Sequence, residues 1–526
     1  MKKQSFFFGA VLLTASSVIS KIIGAIYKIP LTNLLGPQGL GIYYIIFPVY
    51  AFLITFVSTS YTLSISRMVS SEIGGGSLYM ARKTLYASLF LLTIVGAVLA
   101  SILIVASRVI ADLQGVENAY ICYLAIAPAI VMVAMSSSFK GYFQGLQNMT
   151  PSAVSQVVEQ IVKLAVGFTL ATILSRHGAL KATMGAIIGI SVSEAVTLIF
   201  FVIWFFVHKA RNPATKSQNE KANIFVLSSK VMKTTLPFLL SSIITPLSLM
   251  IDSFLIVNIL RNAGFDKYFA TALLGLNSGV VNTLVNLPTT LSSSICVTII
   301  PYITYALSKG DFNTISKRSL LAFKVTTIIS IPCTIVFLLF GGQVISLLYS
   351  SGMSSAESTL SVSLLSIASF NVLYISLLQI TTALLQAISK AYIPVISLSL
   401  SLAVKVLLEV LLVSIVPLNI FGAIISAGAS YALSSIINLI YLRKHININF
   451  SPYRIVIAPI LSSGAMVGAI TLTFIILKGL VPSSIATLSA FFGGAVVYML
   501  MIFITKVFEK DEFEKLFKRR KIKLAT

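Results

Sequence analysis

The residues of this sequence best placed to do chemistry are charged side chains inside long apolar stretches. Lys21 and Lys28 lie seven positions apart with Gly24 between them, so all three share one face of a helix. Two cations on one face predict a binding site for an anion in a central cavity. The alternative is snorkelling of the lysines to a membrane interface, and it is stronger for Lys28, because Pro30 and an expected loop at 33–36 follow it.

Two further helices each carry an acid and a base four positions apart. Glu159 precedes Lys163, whereas Lys405 precedes Glu409. Groups at this spacing are neighbours on a helix surface. Each pair therefore predicts either substrate-binding groups or a neutralised structural pair in a bundle core. The reversed order would suit a site that is asymmetric about the axis relating two halves of the chain.

Three more charged residues are candidates for a binding site. Asp252 lies deep in an apolar stretch without a local cation, so we expect it to pair with a lysine of the first span or to bind a coupling cation. Glu194 is a weaker candidate of the same kind. Arg67 ends an apolar segment, where it either anchors the chain at the interface or contacts a phosphate at the mouth of the cavity.

The composition indicates which elements must position these side chains. The chain has 526 residues, of which 57% are hydrophobic and only 10% are charged. Soluble domains carry about 25% charged residues, so this composition excludes a set of soluble domains as well as a disordered chain or a coiled coil. The three cysteines lie in apolar runs and show no disulfide or metal-site spacing. The sequence predicts an all-α polytopic membrane protein.

Apolar segments long enough to cross a bilayer, about 20 residues each, recur along the whole chain. The first follows a short basic N-terminus but continues past a signal-peptide length, so we expect a retained transmembrane helix. The eighth is the least regular, because it mixes Asn, Ser and Thr with Pro288. The fourteen expected spans are 5–28, 41–66, 84–107, 119–139, 151–175, 183–207, 234–260, 269–299, 321–349, 358–387, 391–415, 420–441, 453–477 and 482–506.

The distribution of basic residues predicts the orientation. With the N-terminus in the cytoplasm, the cytoplasmic loops and the tail hold 28 Lys and Arg residues and the opposite loops hold 6. This asymmetry predicts that both termini are cytoplasmic. Most of the formal net charge of +23 is then a topology signal and a contact with membrane lipids rather than a nucleic-acid site.

The two halves of the chain show signs of an internal repeat. In each half a glutamine (Gln144 or Gln386) precedes a proline (Pro151 or Pro394) that begins a helix with an acid–base pair. Two six-helix units of the same topology are a parallel repeat, with the substrate near the bilayer midplane. The expected domains are a first bundle over 1–207, a cytoplasmic linker over 208–233, a second bundle over 234–442, two further helices over 443–506 and a basic tail over 507–526.

The sequence contains no catalytic or nucleotide-binding constellation. No GxxxxGK[ST] motif occurs, and the Gly74–Gly76 run lacks the residues that complete a phosphate-binding loop. We therefore expect a transporter rather than an enzyme, with no cofactor and no metal. Membrane potential and a coupling cation remain open as driving forces.

Three segments resemble the MOP superfamily of exporters and flippases. The opening Ser20–Gly24 with Gly36 and the 39–41 segment is similar to its first span, and 299–302 to the end of its eighth. The segment 140–151 (KGYFQGLQNMTP) resembles its polysaccharide-biosynthesis branch, which includes the stage V sporulation protein B type and the MurJ-type lipid II flippases.

The resemblance covers essentially the whole chain and carries expectations of its own. It implies a V-shaped pair of bundles around a cationic cavity, and transport of an undecaprenyl-pyrophosphate-linked saccharide from the inner to the outer leaflet of a bacterial cell membrane. Lys21 stands where the branch has an arginine that holds the pyrophosphate, which keeps the charge but not the bidentate geometry. Tyr27 occupies the position of the second arginine, and Lys28 is one position away.

Other functions remain open on sequence alone. One is export of a different lipid-linked polysaccharide precursor, in vegetative growth or in sporulation. A second is a multidrug antiporter, which the basic first span disfavours because cationic drugs need acidic partners. A third is a scaffold that recruits cell-wall or spore-coat enzymes through the tail. We expect the protein to be a monomer.

Overall fold

The computed structural model describes residues 6–213, 223–349, 352–446 and 451–507. Nearly all of these residues are helical, and no β-strand forms among them. The helices of the first part are α1 (Phe6–Thr55), α2 (Thr59–Gly74), α3 (Leu78–Leu113), α4 (Tyr120–Gly145), α5 (Thr150–Val162), α6 (Phe168–Ser175), α7 (Ala179–Arg211), α8 (Ile224–Ser242), α9 (Ile244–Asn262) and α10 (Lys267–Gly275). Those of the second part are α11 (Asn282–Ser308), α12 (Phe312–Tyr349), α13 (Ser355–Ala387), α14 (Tyr392–Val413), α15 (Asn419–His445), α16 (Ala458–Leu477) and α17 (Ser483–Ile504).

The apolar helices confirm an all-α, multi-pass membrane protein. In the described residues, thirteen helical segments are long and apolar enough to cross a membrane. The first of them, Ala15–Gly74, has 60 residues, or about 90 Å of helix, against a hydrocarbon core of about 30 Å. That length provides for two crossings, so the thirteen segments are consistent with the fourteen predicted spans.

A bend divides α1 into two crossings. The sequence predicts a loop at 33–36, but the helix runs through Pro30 and changes direction only at Gly36. Gly36 has φ of +62°, a left-handed conformation that glycine adopts without the clash of a Cβ atom. The chain therefore changes direction at a single glycine rather than in the predicted four-residue loop.

Several spans are joined from shorter helical pieces. A π-helical segment (Lys163–Gly167) links α5 to α6, another (Leu276–Val281) links α10 to α11, and a third (Tyr453–Ile457) precedes α16. The irregular eighth span is thus helical in spite of Pro288, because a membrane helix tolerates proline where neighbouring groups satisfy the freed carbonyl. π-helical turns occur frequently at functional sites.

Two compact units account for the contacts within the fold. The first contains Met1–Thr283, Ser351–Met353 and Val406–Ala423, and the second contains Leu284–Ser350, Ser354–Lys405 and Ile424–Thr526. This division follows contacts rather than sequence similarity, so the predicted six-plus-six repeat and its boundaries stay predictions. At the predicted linker, α7 ends at Arg211 and α8 begins at Ile224. Residues 508–526 of the predicted basic tail lie outside the described residues.

Glycines let the helices of the first unit approach closely. A Cβ atom on Gly275 of α10 would lie 2.0 Å from the carbonyl oxygen of Pro37, and one on Gly41 of α1 would lie 2.0 Å from that of Thr271. Reciprocal glycines thus hold α1 and α10 in backbone contact. Small residues at helix contacts are typical of membrane proteins, where close packing replaces the hydrophobic driving force.

Two apolar cores lie among the described residues of the second unit. One involves residues of α11 to α15, and the other joins α16 and α17 to the middle of α12. In the latter, the hydroxyl of Tyr498 donates a 2.8 Å hydrogen bond to the carbonyl oxygen of Ile328. This bond links the last two spans to the unit.

Candidate functional site

The two lysines of the first span lie apart from its apolar exposed surface. Three exposed isoleucines form a stripe on α1. At 100° per residue, Lys21 and Lys28 lie about 140° around the helix axis from the centre of that stripe. The stripe consists of Ile19, Ile22 and Ile26. Lipid contact is expected on the isoleucine side, so the lysines lie on a different flank of the helix.

That flank adjoins the fifth span. A Cβ atom on Gly24, between the two lysines, would lie 3.3 Å from the Gln160 Oε1 atom of α5. Gln160 Nε2 in turn donates a 3.2 Å hydrogen bond to Glu159 Oε1. The flank of α1 that carries Lys21 and Lys28 and the Glu159–Lys163 pair of the fifth span therefore both adjoin the contact between Gly24 and Gln160.

The pair in the fifth span forms as predicted. Lys163 Nζ lies 3.6 Å from Glu159 Oε1, and each side chain is 16% exposed. Lys163 also begins the π-helical segment that links α5 to α6. Because Glu159 already balances its charge, Lys163 is a weaker anion ligand than its position alone indicates.

Lys28 packs against an aromatic ring beyond the bend of α1. Its Nζ atom lies 5.9 Å from the centroid of the Tyr44 ring, within the range of a cation–π interaction. The Tyr44 hydroxyl lies 3.4 Å from Thr283 Oγ1. Lys28 is partly buried, whereas Lys21 is exposed, so Lys21 is the more accessible of the two for a ligand.

Arg67 and Asp252 occupy other parts of the first unit. Arg67 is an exposed residue of α2, and Asp252 is a partly buried residue of α9, which packs against α1. Their roles as substrate ligands remain predictions.

The second acid–base pair lies on α14. Lys405 is 3% exposed and Glu409 is fully buried, so neither faces lipid. Ser397 and Ser401, one and two turns earlier, are also buried, and Ser397 donates a 2.7 Å hydrogen bond to Asn438 Oδ1 of α15. The polar stripe of α14 is therefore turned into a bundle, and the role of the Lys405–Glu409 pair stays a prediction.

The interhelical surroundings of Glu194 could not be read from the sequence. Glu194 is 7% exposed on α7 and interacts electrostatically with Glu159, Lys163 and Lys140. Only its position in the middle of an apolar span signalled its importance, whereas its neighbours lie on other helices. Lys140 is one of the basic residues that predict the orientation and the first residue of the 140–151 segment, and neither feature indicates that it interacts with Glu194.

Comparison with known proteins places these features in a family. A family model described as "Polysaccharide biosynthesis protein" matches residues 8–306. Stage V sporulation protein B of Bacillus subtilis (strain 168) is 24% identical over 519 residues, covering 98% of each chain. Lipid II flippase MurJ of the same organism is 24% identical over 458 residues, covering 83% of this chain and 82% of that protein.

Solved structures confirm the MOP-type fold. A lipid II flippase MurJ in an inward closed conformation superimposes with a TM-score of 0.68 at 16% identity, covering 94% of this chain and 99% of that one. An inward-facing multidrug resistance MATE family transporter of the MOP superfamily gives a TM-score of 0.67 at 16% identity, over 83% and 98% of the two chains. At this identity the likeness concerns the fold alone.

Proposed function

The chain belongs to the polysaccharide biosynthesis protein family, and from that premise we propose that it is a flippase for a lipid-linked precursor of the bacterial cell envelope. The proposed substrate is an undecaprenyl-pyrophosphate-linked saccharide, with lipid II as the first choice. The proposed movement is from the inner to the outer leaflet of the plasma membrane by alternating access, with both termini in the cytoplasm.

The basic flank of α1 is the observation that supports this proposal most directly. A pyrophosphate cannot cross hydrocarbon unaided, because an unpaired charge in that medium is very costly. Lys21 supplies a cation on a side of the helix that differs from its apolar stripe. A lysine there would offset the hydration that the pyrophosphate loses while the polyprenyl tail stays in the bilayer.

The MATE-like alternative predicts a different first span. A transporter of cationic drugs needs acidic groups at its binding site, and the charged residues of the first span are lysines. The lipid II flippase relative also matches most of this chain. An anionic, lipid-linked substrate is therefore favoured over a cationic drug.

Transport by purified protein in vesicles tests the proposal. Labelled lipid II is added, and its appearance in the opposite leaflet is compared for wild type, Lys21→Ala and Lys21→Arg. A charge-assisted hydrogen bond is worth about 1.5–3 kcal/mol, so we expect Lys21→Ala to slow transport roughly 10- to 100-fold and Lys21→Arg to retain most of it. Lys230→Ala, which removes an exposed lysine of α8, is the matched control.

The possible outcomes separate substrate from site. Equal transport by wild type and Lys21→Ala, at equal insertion, would remove Lys21 from the mechanism. Transport of another polyprenyl-linked glycan, but not of lipid II, would retain the flippase and change its substrate. Drug efflux without transport of any lipid-linked saccharide would contradict the proposal.

A further inference from the structure

Four connections of the first unit meet at one end and border a cavity of about 160 Å³. They are the bend of α1, the connection between α3 and α4, the start of α7 and the start of α10. The predicted orientation places all four on the outer face, opposite the predicted cytoplasmic linker. A ligand of this cavity therefore approaches from the outer side of the membrane.

Contacts between the connections hold the walls of the cavity in place. Thr183 Oγ1 of α7 donates a 3.0 Å hydrogen bond to the carbonyl oxygen of Gly39, just after the bend of α1. Gln114 Nε2, between α3 and α4, donates a 3.1 Å hydrogen bond to the carbonyl oxygen of Ile45. The start of α10 is fixed through Thr271, which takes part in the close glycine contact between α1 and α10. A site with fixed walls loses little conformational entropy when a ligand binds.

The lining combines apolar side chains with hydrogen-bonding groups. Ile42 and Val116 are buried and Leu180 is partly buried, so these three provide an apolar surface. Gln38 and the exposed Asn118 provide two amides, each of which can donate and accept hydrogen bonds. The ligand that matches this lining has both an apolar face and a polar edge.

An aromatic ring and an ion pair complete the cavity. Tyr268 is 68% exposed at the second position of α10, where its backbone N–H donates a 2.8 Å hydrogen bond to Asp266 Oδ2. Lys267 also lines the cavity, and its Nζ atom lies 3.7 Å from Glu117 Oε1. Because Glu117 balances the charge of Lys267, the cavity favours an uncharged ligand over a phosphate.

The size and the chemistry of the cavity together match one sugar ring. An apolar cavity of about 150 Å³ in another protein holds one benzene ring, so a six-membered ring fits here as well. A pyranose presents C–H groups on its faces and hydroxyl groups at its edge, which suit an aromatic ring and two amides respectively. A hydrocarbon chain in the same place would displace water from the amides without replacing its hydrogen bonds.

We propose that this cavity is an outer-face binding site for one uncharged pyranose ring of a glycan. Tyr268 lies against the face of the sugar, and Gln38 and Asn118 bind its hydroxyl groups. The glycan belongs either to the exported precursor or to finished envelope polysaccharide, because the two share this chemistry. A role in receiving the saccharide of the precursor rests on the proposed flippase function, whereas sugar binding itself can be measured without transport.

The first test is saturation-transfer NMR with the full-length protein in lipid nanodiscs. The probes are the methyl glycosides of glucose and of N-acetylglucosamine, and we expect saturation transfer to at least one of them. Tyr268→Ala should weaken its affinity about tenfold, whereas Tyr268→Phe, which keeps the ring, should retain most of it. Tyr392→Ala is the matched control, because it removes a tyrosine that is 57% exposed at the start of α14, and it should leave binding unchanged.

A cavity-filling variant checks the position of the sugar. Leu180→Trp adds volume at the cavity without removing a polar group, so we expect it to block binding while thermal unfolding shows that the protein remains folded. Absence of saturation transfer to both glycosides would overturn the site. Wild-type affinity in folded Tyr268→Ala or in folded Leu180→Trp would also overturn it, because the sugar would then bind elsewhere.

The second test is photocrosslinking, which separates the two sources of the sugar. Tyr268 is replaced by the photoreactive benzoylphenylalanine, and the protein is placed in vesicles with labelled lipid II in both leaflets or with soluble glycan strands outside. A crosslink to lipid II supports the precursor as ligand, and a crosslink to the glycan strands alone assigns the site to finished polysaccharide. Crosslinks to phospholipid alone would overturn the proposal. If wild type transports no lipid-linked saccharide, the flippase proposal fails, and the NMR measurement still decides whether the cavity binds a sugar.

Discussion

Breaking the Glu159–Lys163 pair should distinguish a structural ion pair from a substrate ligand. The two groups lie 3.6 Å apart and each is 16% exposed, so removing one partner leaves an unbalanced charge in a poorly solvated site. Removal of one member of a buried ion pair costs about 3–5 kcal/mol in soluble proteins, whereas uncharged hydrogen bonds between transmembrane helices contribute at most about 1.7 kcal/mol. We expect Lys163→Met and Glu159→Gln each to lower the free energy of unfolding by about 2 kcal/mol.

The double variant, with Glu159→Gln and Lys163→Met together, distinguishes a structural ion pair from a substrate ligand. With both charges removed, no unpaired group remains, and we expect a loss below about 1 kcal/mol. Such a result corresponds to a coupling energy of about 3 kcal/mol in a double-mutant cycle. The Gln160 amide can still donate to the carbonyl of a glutamine at 159, so the local hydrogen bond survives.

The chain offers a matched control and an internal probe. Glu117 and Lys267 form a pair at 3.7 Å, but with 72% and 34% of their side chains exposed, so the same cycle there should give about 0–1 kcal/mol. Unfolding in mixed micelles can be followed by the fluorescence of Trp204, the single tryptophan. Additive losses in the Glu159–Lys163 cycle would refute the structural reasoning. Full stability of the double variant without transport would instead assign these charges to the substrate.

Two further predictions concern helix packing. Gly275→Ala would place a Cβ atom 2.0 Å from a carbonyl oxygen of α1, so we expect a loss of about 1–3 kcal/mol in stability, whereas Gly468→Ala, where nothing lies within 4 Å, should be neutral in the same thermal-unfolding assay. Tyr498→Phe removes the 2.8 Å hydrogen bond to the carbonyl oxygen of Ile328 and should cost about 1 kcal/mol; faster protease cleavage in the α16–α17 region would accompany it, and unchanged cleavage would contradict a linking role.

Local features of the fold were predictable because they depend on neighbours along the chain. The Glu159–Lys163 pair follows from helical spacing alone, and hydropathy defined the spans because the bilayer permits little besides helices. The bend of α1 was misplaced because Pro30 and Pro37 resemble loop residues, although neighbouring helices can satisfy the groups that a proline leaves free. The π-helical segments had no sequence signal.

Contacts between helices account for what the sequence could not reveal. Glu194 is 35 positions from Glu159, and no spacing rule connects them. The same holds for the contact of Gly24 with Gln160, which places the basic stripe beside the fifth span. A chain without its fold shows that a charge is buried but not which other charges surround it.

The charge balance of the first unit argues against the interior cluster as the site of the anionic substrate. Lys163 is held by Glu159, and together with Lys140 and Glu194 these groups sum to zero, so the interior cluster has little attraction for a pyrophosphate. Lys21 is an exposed residue of α1, and Gln160 lies between its flank of the helix and Glu159. The anionic group of the substrate is therefore expected at this flank, where a lysine is accessible, rather than among the balanced charges of the interior.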